Sequence, residues 1–121
     1  MGGRGAVSGF VPELPNYQRA TIAEAKITKY LLDPERKHYP EFVAVGYSAD
    51  NPERLKNDLL DGLRNNRAKA YEPDENGATA FEVDMMLGVT RKARFRTGWR
   101  IDAWQANPRF ITAHRIGANR K

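Results

Sequence analysis

The chain has 121 residues, no cysteine and a formal net charge of +5. That length sets one domain with room for a core, and the lack of thiols excludes a disulfide framework, a cysteine nucleophile and a cysteine-based zinc site. A hydrophobic content of 40% beside 29% charged residues excludes global disorder, and the basic excess favours a polyanionic partner, nucleic acid ahead of an acidic protein or a membrane surface. No run approaches the ~18 to 20 apolar residues of a bilayer span, and the N-terminus lacks the apolar stretch of a secretory signal. A cytoplasmic protein with no membrane partner is the expectation.

Residues 1–18 contain Gly2, Gly3, Gly5, Gly9, Pro12 and Pro15 without periodicity and read as a flexible arm, in which Gly2 to Gly5 around Arg4 could form a small cationic tail. Residues 19–116 read as a single α+β domain and 117–121 as a basic tail. Ala23, Ile27, Tyr30 and Leu31 fall at helical spacing and Asp33-Pro34 stops them, which predicts a helix over Ala23 to Leu32, with a short extended piece near Thr21 and Ile22. Glu35 to Pro40 reads as a charged loop. Glu41 to Tyr47 suits either a helix or a buried strand. Asn51 as N-cap, Pro52 at the first helical position and the stripe Leu55, Leu59, Leu60, Leu63 predict a helix from Pro52 to Arg64.

After Asn66 the period becomes two. Ala68 to Glu72 and Thr79 to Leu87 flank the turn Pro73 to Gly77, and Arg109 to Ile116 closes the set. Between them Arg91 to Asp102 puts Ala93, Phe95, Thr97, Trp99 and Ile101 on one face and Lys92, Arg94, Arg96 and Arg100 on the other. The expected architecture is α+β, with N-terminal helices on a roughly four-stranded antiparallel sheet.

The chemistry is bounded by what is missing. The only histidines, His38 and His114, lie 76 positions apart without ligand spacing, so no metal site is expected, and no phosphate loop or nucleophile elbow calls for a cofactor. Metal-free acid/base cleavage of RNA remains open. It needs a base for the 2′-hydroxyl, an acid for the leaving oxygen and cations for the dianionic transition state. His114, His38, Glu82 and Asp84 are candidate proton carriers; Lys92, Arg94, Arg96, Arg100, Arg109 and Arg115 are candidate phosphate contacts; Trp104 is the candidate stacking platform. Each has a structural alternative: His114 as a half-buried hydrogen-bonded residue, His38 as solvated, Glu82 and Asp84 as cross-strand partners of the arginines, and Trp99 as a core anchor.

Lys26-Ile27-Thr28-Lys29-Tyr30-Leu31-Leu32-Asp33-Pro34, Phe42 to Tyr47, Arg96-Thr97-Gly98-Trp99 and Pro108-Arg109-Phe110-Ile111-Thr112-Ala113 resemble a domain family at the C-termini of bacterial polymorphic toxins, contact-dependent and Rhs types included, and in phage-related proteins. The resemblance spans about Ile22 to Ile116, and the layout is similar to the Barnase/EndoU/colicin/RelE nuclease superfold. It implies a metal-independent ribonuclease acting on RNA, tRNA among the candidates, with Lys26, Thr97, Thr112 and His114 in its catalytic site and an immunity protein as partner. Where the family carries Gly-Lys before its short helix, this chain has His38-Tyr39-Pro40. That departure keeps a second expectation open: a catalytically inactive phage-encoded protein that binds nucleic acid or a host defence nucleoprotein of the CRISPR type.

Overall fold

A computed structural model describes residues 6–117. The cationic tail expected at Gly2 to Gly5 and the basic tail expected beyond Gly117 lie outside those residues. The fold is α+β. Strand β1 (Val7–Val11) is followed by a turn of 3-10 helix, Tyr17–Arg19, and then by α1 (Glu24–Lys26), which runs without a break into a π-helical segment, Ile27–Leu31. Helices α2 (Tyr39–Ala44) and α3 (Pro52–Asp61) come next, then β2 (Ala68–Tyr71), β3 (Thr79–Leu87), β4 (Ala93–Ile101) and β5 (Arg109–Arg115). The five strands form one antiparallel meander in chain order.

One strand more than expected comes from the supposed arm, because Val7 to Val11 pairs with β2 as an edge strand. Its glycine-rich sequence hides it. Gly9 has φ 142 and sits at a register shift, so the strand lacks the regular alternation that marks β3 and β4. Thr21 bridges Arg109 in parallel, which is the short extended piece expected before the first helix.

The core lies between the helices and one face of the sheet. Leu55, Leu59 and Leu63 from α3 and its C-terminal turn meet Ile27, Leu31 and Leu32, while Phe81, Val83, Met85 and Leu87 of β3 and Ala93, Phe95 and Trp99 of β4 line the floor. Phe42 of α2 packs on Phe95 with ring centroids 4.8 Å apart. Gly62 passes so close over β3 that a Cβ there would collide with the Met85 sulfur. Asn51 precedes α3 without a side-chain cap, contrary to its expected role, and the helix starts on Pro52. Tyr47 ties the helical layer to the β3–β4 turn: its hydroxyl donates to Asp58 at 2.7 Å and accepts from Gly88 N–H at 2.8 Å. Burial and the Asp58 carboxylate push that phenol above its ordinary range. The opposite face of the sheet carries Lys69, Glu82, Asp84, Arg94, Arg96, Gly98, Arg100, Thr112 and His114. Among the described residues no helix is long and apolar enough to cross a membrane.

Candidate functional site

The outer face is ordered by register. Glu82 lies opposite Gly98, and Gly98 opposite Thr112; Asp84 lies opposite Arg96, and Arg96 opposite His114. Directly opposed residues project to the same side of a sheet. Gly98 has no side chain, so the face dips there, between Glu82 and Thr112 and between Arg96 and Arg100.

At the β5 end of the second row the chain brings its two histidines together. His38 precedes α2, and its ring centroid lies 5.3 Å from that of His114, with 30° between the planes. Glu41, in the first turn of α2, bonds His38 Nδ1 through Oε2 at 3.0 Å and accepts the Arg115 backbone N–H through Oε1 at 2.8 Å. One carboxylate therefore docks the helix on β5 and orients the imidazole. A carboxylate only accepts, so Nδ1 carries the proton and Nε2 is left for exchange. His38 is partnered and about a quarter exposed, 27%, where the sequence suggests a freely solvated residue.

Two further members of the expected catalytic set meet at Tyr30. Thr112, two residues before His114 on the same face, shares a 2.8 Å hydrogen bond with the Tyr30 hydroxyl, and Lys26 Nζ lies 5.0 Å from the Tyr30 ring centroid. Thr97 is a correction. It is fully buried, donating to Val83 C=O and accepting from Trp99 Nε1, both at 2.7 Å, on the face away from His114. No ligand on the outer face can reach it. Trp99 is the core anchor, 1% exposed.

The cationic contacts also divide. Arg94, Arg96 and Arg100 share the outer face, but each has a carboxylate partner. Arg96 grips Asp84 with Nε and Nη2 at 2.9 and 3.0 Å, Arg94 reaches the same carboxylate at 3.4 Å, and Arg100 bonds Asp102 at 3.0 Å and Asp74 at 3.3 Å. Arg109 clasps Asp102 at 2.7 and 3.2 Å. The Arg96 bonds hold the Asp84 carboxyl below its usual range, and Arg109 does the same for Asp102. Cross-strand pairing thus accounts for Asp84, and Glu82 accepts from the Tyr71 hydroxyl at 2.9 Å. Lys92 is exposed in the β3–β4 turn, one residue before β4 begins. Arg115 pairs with Phe95, so its side chain leaves the strand on the helical side and does not join the arginine face. Trp104 is 99% exposed in the β4–β5 loop with φ 68, a left-handed backbone that a bulky residue rarely takes.

The missing signal in sequence reasoning was Glu41. An acidic residue three positions after His38 marks a helix start that fixes the imidazole, but only the fold supplies His114 beside it. Among the described residues no group of three or more His, Asp or Glu side chains is arranged to hold a metal ion. None of the curated proteins and none of the solved structures compared matches the chain. A family model does match residues 13–117, nearly the whole described fold, and on that extent the chain belongs to the family described as Domain of unknown function (DUF6883).

Proposed function

We propose that the protein is a metal-independent ribonuclease in which His38 and His114 share the proton transfers of RNA cleavage. The observation that carries the reading is the contact of the only two histidines, 5.3 Å between ring centroids, with one of them held by Glu41. His38, with Nδ1 on the carboxylate, takes the 2′-hydroxyl proton through Nε2. The 2′-oxygen attacks the adjacent phosphorus, the bond to the 5′-oxygen breaks, and His114 gives its own proton to that oxygen, leaving a 2′,3′-cyclic phosphate and the abstracted proton on His38. Arg96, opposite His114 in register on the same face, is the candidate donor for charge on the phosphoryl oxygens, which would take the place of Asp84 on its guanidinium. Thr112, two residues from His114 on the same strand, and Lys26, linked to it through Tyr30, suit binding of the strand. The toxin resemblance agrees with this chemistry, and RNA is the substrate class because the reaction needs its 2′-hydroxyl.

The test is incubation of micromolar protein with total RNA in EDTA. Cleavage to cyclic-phosphate ends is expected, falling about 10²- to 10⁴-fold in His38→Ala and in His114→Ala. Intact RNA, or cleavage that both variants retain, overturns the reading. Intact RNA that still binds with a steep loss of affinity in salt would favour the non-catalytic binding protein.

A further inference from the structure

The outer face continues past the arginines to a cleft of about 360 Å³ at its β1 side, lined by Phe10, Arg67, Lys69, Met86, Arg94 and Arg96 together with Glu82 and Asp84. Four cations face two carboxylates there, and both carboxylates already accept hydrogen bonds, Asp84 from Arg96 and Arg94 and Glu82 from Tyr71.

Arg67 differs from the other arginines of this face. Among the described residues no carboxylate lies within ion-pair distance of it; its guanidinium carbon sits instead 4.1 Å from the Phe10 ring centroid. Phe10 is 53% exposed, so the stack stands at the surface rather than in the core. A ring beneath a guanidinium restrains the group and leaves N–H donors at its edge free to bind a phosphate. Lys69 adds a second cation, 6.0 Å from the same ring. Met86, also 53% exposed, gives the rim an apolar wall on which a base can rest.

The placement is not random with respect to the histidines. Ala68 pairs with Val83, so Arg67 extends the row that runs through Asp84 and Arg96 to His114. From β2 to β5 is three strand spacings, roughly 14 Å. An extended single strand covers that in about two nucleotides.

We infer that the cleft is a distal nucleotide subsite for single-stranded RNA, in which Arg67, restrained by Phe10, takes a phosphate about two nucleotides from the bond at His38 and His114. This rests on the ribonuclease reading for the position of the cut, and goes beyond it in fixing a substrate longer than a dinucleotide.

The experiment compares kcat/KM on a dinucleotide and on an octanucleotide RNA for the unaltered protein, Arg67→Ala, Arg67→Lys and Phe10→Ala, alongside fluorescence-anisotropy binding of the octanucleotide. Thermal melts accompany each variant; both positions lie outside the core, so folding is expected to be retained. The octanucleotide-to-dinucleotide ratio should fall about tenfold in Arg67→Ala and Phe10→Ala, a size set by one charge-assisted contact. Arg67→Lys should recover only part, because an ammonium neither stacks nor binds bidentately in that way. A ratio unchanged in Arg67→Ala overturns the subsite and leaves the ribonuclease standing. If the unaltered protein cuts neither substrate, the ribonuclease reading falls and binding decides the cleft: octanucleotide affinity about tenfold weaker in Arg67→Ala supports it, and equal affinity overturns it.

Discussion

Trp99 fills the centre of the core, and its indole N–H needs an acceptor there. Thr97, two residues earlier on the same strand face, accepts it at 2.7 Å and donates its own hydroxyl to the Val83 carbonyl at 2.7 Å. The Thr-x-Trp spacing is therefore a device for burying an indole, and a motif that recurs for that reason looks the same in sequence as one that recurs for catalysis. The two roles separate in one variant. Thr97→Val keeps the shape and removes the acceptor, so urea unfolding should show a loss of about 1–3 kcal/mol. Cleavage per folded molecule should be unchanged; a collapse of activity at full folding would return Thr97 to the site. Arg115 and Lys92 teach the related lesson that charge is legible and direction is less so. Whether a cation at or next to a strand end shares a face with the others depends on where the strand begins and on bulges such as the one beside Gly98.

At the scale of elements, β3, β4 and α3 were legible because each carries its own period over nine or ten residues. β1 was not, since its strand character comes from pairing with a segment some 60 residues later and not from its own pattern. The histidine pair was illegible for a similar reason. Its geometry is made by the docking of α2 on β5 through Glu41, a contact spanning 74 positions. That docking predicts the behaviour of Glu41→Gln. The amide can still accept from the Arg115 N–H, but the side-chain NH₂ turned toward His38 would demand an acceptor at Nδ1, which moves the ring proton to Nε2. Nitrogen-15 NMR of the imidazole should show that tautomer change, and kcat should fall by roughly 10²-fold or more, as expected when a general base carries its proton on the wrong nitrogen. A variant with the altered tautomer and full activity would remove His38 from the proton transfers. Gly98 makes a second prediction. Its φ lies outside the left-handed range, and an added Cβ would meet only Thr112, with Cγ2 at 3.4 Å, an ordinary contact. Gly98→Ala should therefore gain about 0.5 kcal/mol or more of stability from reduced chain entropy. It should also weaken RNA binding by filling the dip between Arg96 and Arg100, measured by anisotropy; equal affinity would mean that the strand does not cross there.

The whole molecule carries +5, yet its most cationic face is largely cancelled in place. Asp84 sits between Arg94 and Arg96, and Asp102 between Arg100 and Arg109, so these four arginines offer a polyanion less charge than a count suggests. The same pairs contribute to the acid limb of stability. Both carboxyls are held below their usual range, so their contribution is complete above about pH 4, where an unfolded aspartate is ionised, and is lost as pH falls through the lower folded value. Asp84→Asn tests both consequences in one protein. It lacks the ionised partner at any pH, so it should be less stable than the unaltered protein at pH 7, with the difference shrinking as both are taken toward pH 2. At pH 7 it should bind RNA more tightly and with a steeper dependence of affinity on salt, by roughly 0.7 in the logarithmic slope for each cation it frees. A stability difference that persists undiminished at low pH would mean that Asp84 acts by packing rather than by charge. An unchanged salt slope would mean that Arg94 and Arg96 are not where the phosphates lie, and would move the strand's path away from β4.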